Sequence, residues 1–231
     1  MPSAIAKTNK MDFSEDPDFD ILESILGGNS ESVSTTGIIT EHSTDMALVR
    51  TPSSTRATLA ASNFYPNKKW FTGMRIFALN ISPEDSREDL SVTDPQLIES
   101  LFAGVVPELR KGLVKITGVT RNVGVRSKIA VAPTMEGLDA VGIFVGRAAN
   151  RVRFVSSMLL GERVDVVASD PDPIVFLTNA LGVSVDSLDT SKEILQVNVP
   201  RHQYDAAVGG GGLNAALAAK LTKTRFTLAP A

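Results

Sequence analysis

Residues 203–221 read QYDAAVGGGGLNAALAAKL, and the four glycines between two helix-forming runs decide how the rest of the chain is parsed. Gln203–Val208 and Leu213–Leu221 have helical composition. Gly209, Gly210, Gly211 and Gly212 between them have no Cβ to oppose a left-handed backbone or the close approach of another chain. Upstream, Gly146-Arg147-Ala148-Ala149 holds the same place between the helical stretches Leu138–Val145 and Ala149–Leu160. Gly146 precedes Arg163 by 17 residues, and Gly209 precedes Arg225 by 16. Two turns at matching offsets point to one unit used twice.

Each turn sits in the same series of elements. The first copy reads as helix Pro95–Phe102, a short basic turn ending at Arg110-Lys111, strands Leu113–Thr120 and Arg126–Ala132, the two helices about Gly146, and strand Arg163–Ala168. The second reads as helix Pro173–Leu181, strands Val183–Leu188 and Ile194–Val199, the helices about Gly209, and strand Arg225–Leu228. The order α-β-β-α-α-β, with a glycine-bearing turn between the central helices, is the layout of a KH module in its bacterial, type II, form. In that module the turn is G-x-x-G. Its glycines let the backbone approach a sugar–phosphate chain, amides at the next helix N-terminus face the phosphates, and a basic residue at x adds a contact. The second copy keeps the glycines and has no basic x residue, so Gly209–Gly212 and Asn214 are the expected backbone cradle. The first keeps the charge and lacks the second glycine. There Gly146, Arg147, Ala148, Ala149, Arg151 and Arg153, with Arg126 and Lys128 on a strand, are the expected RNA contacts. A structural account competes in each case: a linker for the glycines, a helix cap for Ala149, a solvated side chain for Arg147.

Ahead of these modules, Ser32–Thr40, Asp45–Arg50, Thr55–Ala61, Met74–Ile81 and Glu88–Thr93 are short β-rich runs separated by turn residues, the pattern of a five-stranded OB-type barrel. Lys68 and Lys69 beside Trp70 form its best basic–aromatic patch, although most of Phe64, Tyr65, Trp70, Phe71 and Phe77 are expected in the core. The resulting division is an acidic tail at 1–30 with a short helix over Asp20–Leu26, the barrel at 31–94, the first KH module at 95–170 and the second at 171–231, an α+β chain.

Charge follows this division. The net −3 hides −4 over residues 1–30, −3 over 31–104, +4 over 105–170 and zero over 171–231. A phosphate backbone is bound largely through Lys and Arg, so the first KH module is the expected electrostatic contact. Asp16, Asp18 and Asp20 share the spacing of the first EF-hand ligands, but Ile21 and Gly27 stand where that loop needs Gly and Glu. With no cysteine and only His42 and His202, no metal site, cofactor or catalytic set is expected. Asp170, Asp172, Asp186 and Asp189 read as turn residues. No apolar run suits a membrane span, and a soluble cytoplasmic protein is expected.

The residues also resemble a family. Arg126-Ser-Lys-Ile-Ala-Val131, Leu138-Asp-Ala-Val-Gly142 and Gly161-Glu-Arg-Val-Asp-Val-Val167 are similar to the R-S-K-I-A-V, x-D-P-V-G and G-E-R-I-D-I-V segments of bacterial NusA transcription factors. Val105–Val119 resembles the stretch entering that family's first KH module, and Asp172-Pro173 followed by Asn179-Ala180-Leu181 its inter-KH connection. The resemblance implies that the barrel is an S1 domain. It also implies a non-enzymatic factor that binds nascent single-stranded RNA beside RNA polymerase and modulates pausing, termination or antitermination, as a monomer within a larger complex. Only about 30 residues precede the barrel, so a diverged member without the family's N-terminal polymerase-binding domain is expected. The rival reading is a protein–protein adaptor or decoy on polymerase, virus- or mobile-element-encoded, with eroded KH turns and Asp12–Leu26 as its tether.

Overall fold

The computed structural model describes residues 34–54, 56–82, 88–189 and 194–231. The expected helix over Asp20–Leu26 and the Asp16–Asp20 run lie outside the described residues.

The first five strands are β1 (Ser34–His42), β2 (Met46–Arg50), β3 (Ala57–Ala60), β4 (Arg75–Asn80) and β5 (Asp89–Ser91). They close into a barrel in the order β1-β2-β3-β5-β4. All pairs are antiparallel except β3 with β5. Alternation along β2 and β3 puts Ala47, Val49, Ala57 and Leu59 inside. Closure depends on β1, which pairs through Ser34–Ile38 with β4 and through Ile38–His42 with β2. Gly37 lies at this handover. A Cβ there would stand 2.4 Å from Val49 Cγ1, so any side chain at this position would displace a buried residue of β2.

Helix α1 (Gln96–Val105) buries Leu97, Ile98, Leu101 and Phe102, an apolar stripe at helical spacing. The expected basic turn is a single helical turn, α2 (Pro107–Arg110). There follow β6 (Val114–Asn122), β7 (Arg126–Pro133), α3 (Ala140–Val145), α4 (Asn150–Met158) and β8 (Arg163–Ala168). The second unit repeats the series as α5 (Pro173–Leu181), β9 (Ser187–Asp189), β10 (Leu195–Val199), α6 (Tyr204–Val208), α7 (Leu213–Thr222) and β11 (Phe226–Pro230). The sheets are β6-β7-β8 and β9-β10-β11. In each the first pair is antiparallel and the second parallel. The chain is thus α+β, an S1/OB-type barrel followed by two type II KH modules. Strand β9 begins at Ser187, later than the expected Val183, because Ser184 donates its N–H to Gln203 Oε1 (2.8 Å) instead of joining the ladder.

Packing joins these units. One apolar cluster runs from Ile39 and Leu59 in the barrel through Phe102 to Phe144 and Val155, with the Phe102 and Phe144 rings 5.2 Å apart. A second holds Leu177, Leu181, Val197 and Ala218 against Ala130 and Val167 of the first KH module. Helix α7 lies close over β6, where a Cβ on Gly118 would be 3.4 Å from Leu221 Cδ1. A buried ion pair ties the barrel to the first module. Arg121 donates through Nε and Nη2 to Glu162 (3.0 and 2.8 Å) and through Nη1 to the carbonyls of Val92 and Asp94 (3.1 and 2.8 Å). Glu162 also accepts from the Gly124 N–H (2.7 Å) and the Ser127 hydroxyl. Such a pair is tolerable inside because every charge meets several partners.

Candidate nucleic-acid interface

The two turns have the same backbone despite different sequences. Gly146 stands at φ 74°, ψ 169° and Gly209 at φ 72°, ψ 165°, a region essentially reserved for glycine. The third and fourth positions are left-handed in both: Ala148 (51°, 30°) and Ala149 (60°, 26°), against Gly211 (60°, 23°) and Gly212 (78°, 8°). Each turn closes with a 3.0 Å bond, Ala149 N–H to Gly146 O and Gly212 N–H to Gly209 O. The first turn therefore keeps the G-x-x-G conformation with two alanines where left-handed backbone costs an L-residue about 1–2 kcal/mol. The first glycines are fixed by contact as well. A Cβ on Gly146 would reach Arg151 Cγ at 2.8 Å, and one on Gly209 would reach Asn214 N at 2.8 Å.

Five residues beyond those glycines, Arg151 and Asn214 do equivalent work. Arg151 Nη1 donates to Ile143 O (2.7 Å), and Asn214 Nδ2 donates to Ala206 O (3.3 Å), both carbonyls in the helix before the turn. Asn214 also donates to Ala207 O (2.9 Å) and Leu181 O (3.0 Å) and is fully buried. Its amide nitrogen thus holds the helix–turn–helix together, while its Oδ1 is buried without a hydrogen-bond partner among the described residues. Arg151 is half-buried and paired with Glu108 (3.2 Å), which leaves it a positioning role as well. Arg153, although exposed, folds back onto the Ala148 carbonyl. Arg147 stands exposed at the turn, the cation best placed to meet a ligand.

Arg126 and Lys128 converge elsewhere. The parallel register of β7 and β8 sets Lys128 opposite Asp165 and Arg126 opposite Arg163. Asp165 then accepts from Arg126 (2.6 Å), Lys128 (3.0 Å) and Arg163 (2.9 Å). Burial would raise the Asp165 carboxyl, but Lys128 and Arg126 outweigh it and hold it below the usual carboxylate range. Burial pushes the Lys128 ammonium down, against the pull of Asp165. The Lys128 side chain is only 3% exposed and its ammonium is paired with Asp165, beneath the surface where the phosphate contact is expected. Arg163, 68% exposed, is the outward member and was missed in the sequence. Only its spacing to Asp165, two residues along a strand, could have flagged it.

This ionic knot opens on a cleft of about 450 Å³ whose other wall is the second KH module: Asn179, Gly182, Ala206 and Gly209. The cleft shares lining residues with a shallower groove of about 720 Å³ floored by Val141, Val166, Val167 and Val183. A charged cleft next to an apolar groove suits a chain of phosphates and flat bases. In the barrel, Lys68 Nζ donates to Leu160 O (2.7 Å), and Trp70 packs on Phe64 (5.1 Å) with its Nε1 on Ser43 O (2.9 Å). Two of the three residues in the expected patch thus have structural partners, while Phe71 is exposed.

A five-stranded S1-type barrel followed by two KH modules places the chain in the S1–KH class of proteins. Residues 92–169 match the family model of the NusA-like first KH domain. The NusA termination/antitermination protein of Mycobacterium tuberculosis is 37% identical over 195 residues, 79% of this chain and 56% of that protein. That of Halalkalibacterium halodurans is 37% identical over 173 residues, 72% and 45% of the two chains. That of Bacillus subtilis is 40% identical over 136 residues, 58% and 37%. The chain is a NusA-like protein. It spans about half the length of the curated relatives it matches.

Proposed function

We propose that this protein binds single-stranded nascent RNA through its two KH modules and acts beside RNA polymerase on pausing, termination or antitermination. The observation that carries the reading is the shared turn conformation. The first module holds Ala148 and Ala149 in left-handed backbone at an energetic cost, and strain of that kind persists where a site needs the geometry. In this reading Arg147 supplies the exposed charge of the first turn and Gly209–Gly212 the open backbone of the second. The positive balance of residues 105–170 and the apolar groove beside β8 support it.

Titration with a single-stranded RNA at several salt concentrations tests it. Arg147→Ala should weaken binding and lower the slope of log K against log salt by about 0.7, the value for one phosphate contact on a single strand. Wild-type protein that fails to bind RNA, or an Arg147→Ala variant with unchanged affinity and slope, refutes the assignment. Pull-down of the tagged protein with and without ribonuclease tests the polymerase half. Polymerase retained in both supports direct contact, and polymerase lost on ribonuclease treatment makes RNA the bridge.

A further inference from the structure

The second KH turn has no basic residue at either middle position, yet in three dimensions it does not lack charge. Gly209 lines the same cleft as Arg126 and Arg163 of the first module. We infer that this cleft is a composite phosphate site, with the backbone at Gly209, where the second turn begins, as one wall and the Arg163–Arg126 pair as the cationic other. The ligand is a backbone phosphodiester of single-stranded RNA, and the inference rests on the RNA-binding reading above.

Three features support the division of labour. First, the knot is positive without Lys128, since two guanidiniums face one carboxylate. Second, it is pre-set. Arg126 is held through Nε and Nη2 on Asp165, and Arg163 through Nε alone, which leaves both Arg163 Nη groups, with no partner among the described residues, able to donate toward the cleft. A planar guanidinium anchored at one edge presents its other edge in the geometry that suits a phosphate. Third, a cleft of about 450 Å³ falls within the roughly 300–1,000 Å³ of small-ligand sites and so admits one nucleotide unit. The adjoining apolar groove gives the neighbouring base a place to lie. Charge lost from the second turn is thus supplied across the module boundary, which also makes the site depend on the fixed placement of the two modules.

The test is a double-mutant cycle on the full chain, read by fluorescence anisotropy with a labelled single-stranded RNA. Arg163→Ala removes an exposed side chain. Gly210→Asp adds a negative charge at a position where a Cβ meets nothing within 4 Å and the φ is not positive, so both variants are expected to fold. Each should weaken binding about three- to tenfold, and Arg163→Ala should lower the salt slope by about 0.7. If both act on one phosphate, the double variant loses less than the product of the single losses. Arg163→Ala combined with Arg147→Ala, on the separate first turn, should show the full product. Wild-type affinity in Arg163→Ala, while Arg147→Ala weakens binding, overturns the composite site and leaves the RNA-binding reading intact. A full product for Arg163→Ala with Gly210→Asp overturns it too, because unrelated surface charges behave that way. Absence of RNA binding by the wild type removes the underlying reading, and this site with it.

Discussion

Replacing Ala148 and Ala149 by glycine, singly, should stabilise the protein, although glycine is ordinarily a destabilising choice. Both alanines sit in left-handed backbone, at φ 51° and 60°. That conformation costs an L-residue about 1–2 kcal/mol and glycine almost nothing. Against this, glycine widens the unfolded ensemble by about 0.4–1 kcal/mol. The balance is a gain of about 0.8 kcal/mol per site. With a urea dependence of about 2.5 kcal/mol per molar, it moves the unfolding midpoint up by about 0.3 M at unchanged slope. Trp70, the sole tryptophan, packs against the apolar cluster that joins the barrel to the first KH module, so its fluorescence reports the unfolding of both. The mirror experiment isolates the backbone contribution. Gly211→Ala and Gly212→Ala place a methyl where nothing lies within 4 Å, so each should lose about the amount the reverse change gains. A lowered midpoint for either Ala→Gly variant, or Gly211→Ala and Gly212→Ala without loss, would refute the account of strain at these turns. If the turn binds RNA as proposed, Ala149→Gly should also tighten that binding, since it removes a methyl from the face offered to the ribose–phosphate chain.

Other consequences follow from single contacts. Gly209→Ala forces a Cβ to within 2.8 Å of the Asn214 backbone nitrogen in a conformation only glycine adopts, and thermal unfolding should show a loss greater than for Gly211→Ala or Gly212→Ala. Glu162→Ala leaves the Arg121 guanidinium buried without its partner, and denaturant titration should show a loss of about 3–5 kcal/mol, with Glu162→Gln losing less. The Asp165 carboxyl lies below its ordinary 3.8 in the folded state, so its stabilisation is present above about pH 4 and disappears as pH falls through the lower, folded value. Asp165→Asn should therefore be less stable at pH 7 and show a shallower decline in acid, as measured by unfolding midpoints between pH 2 and 7.

The repeat was legible because its signals are local. Helix Pro173–Leu181 and strand Arg163–Ala168 lie where the sequence pattern predicts, and Asp172, which reads as a turn residue, caps that helix by accepting the Ile174 N–H at 2.8 Å. Both turns are legible from a glycine between two helical runs at matching offsets, although in the first turn alanines occupy two of the left-handed positions. The start of strand β9 is not legible, because Ser184 uses a side-chain acceptor 19 residues away. The roles of the polar side chains around the turns were not legible. Lys128 and Asn214 look like ligands in a linear reading, and both are buried with internal partners.

By itself, the sequence determined the class of the protein: a β-rich segment, two α-β-β-α-α-β units, a glycine turn in each, and the positive charge gathered in the first. These follow from short-range rules, the twofold and 3.6-fold side-chain periods and the conformational freedom of glycine. Only the tertiary structure decided which charges remain available. The parallel register of β7 with β8 sets Lys128 against Asp165, and the seating of the second module brings Gly209 to the same cleft as Arg163. The physical reason is that an ion pair is formed by distance in space, and the strand register and module docking that set that distance depend on contacts between residues far apart in the chain.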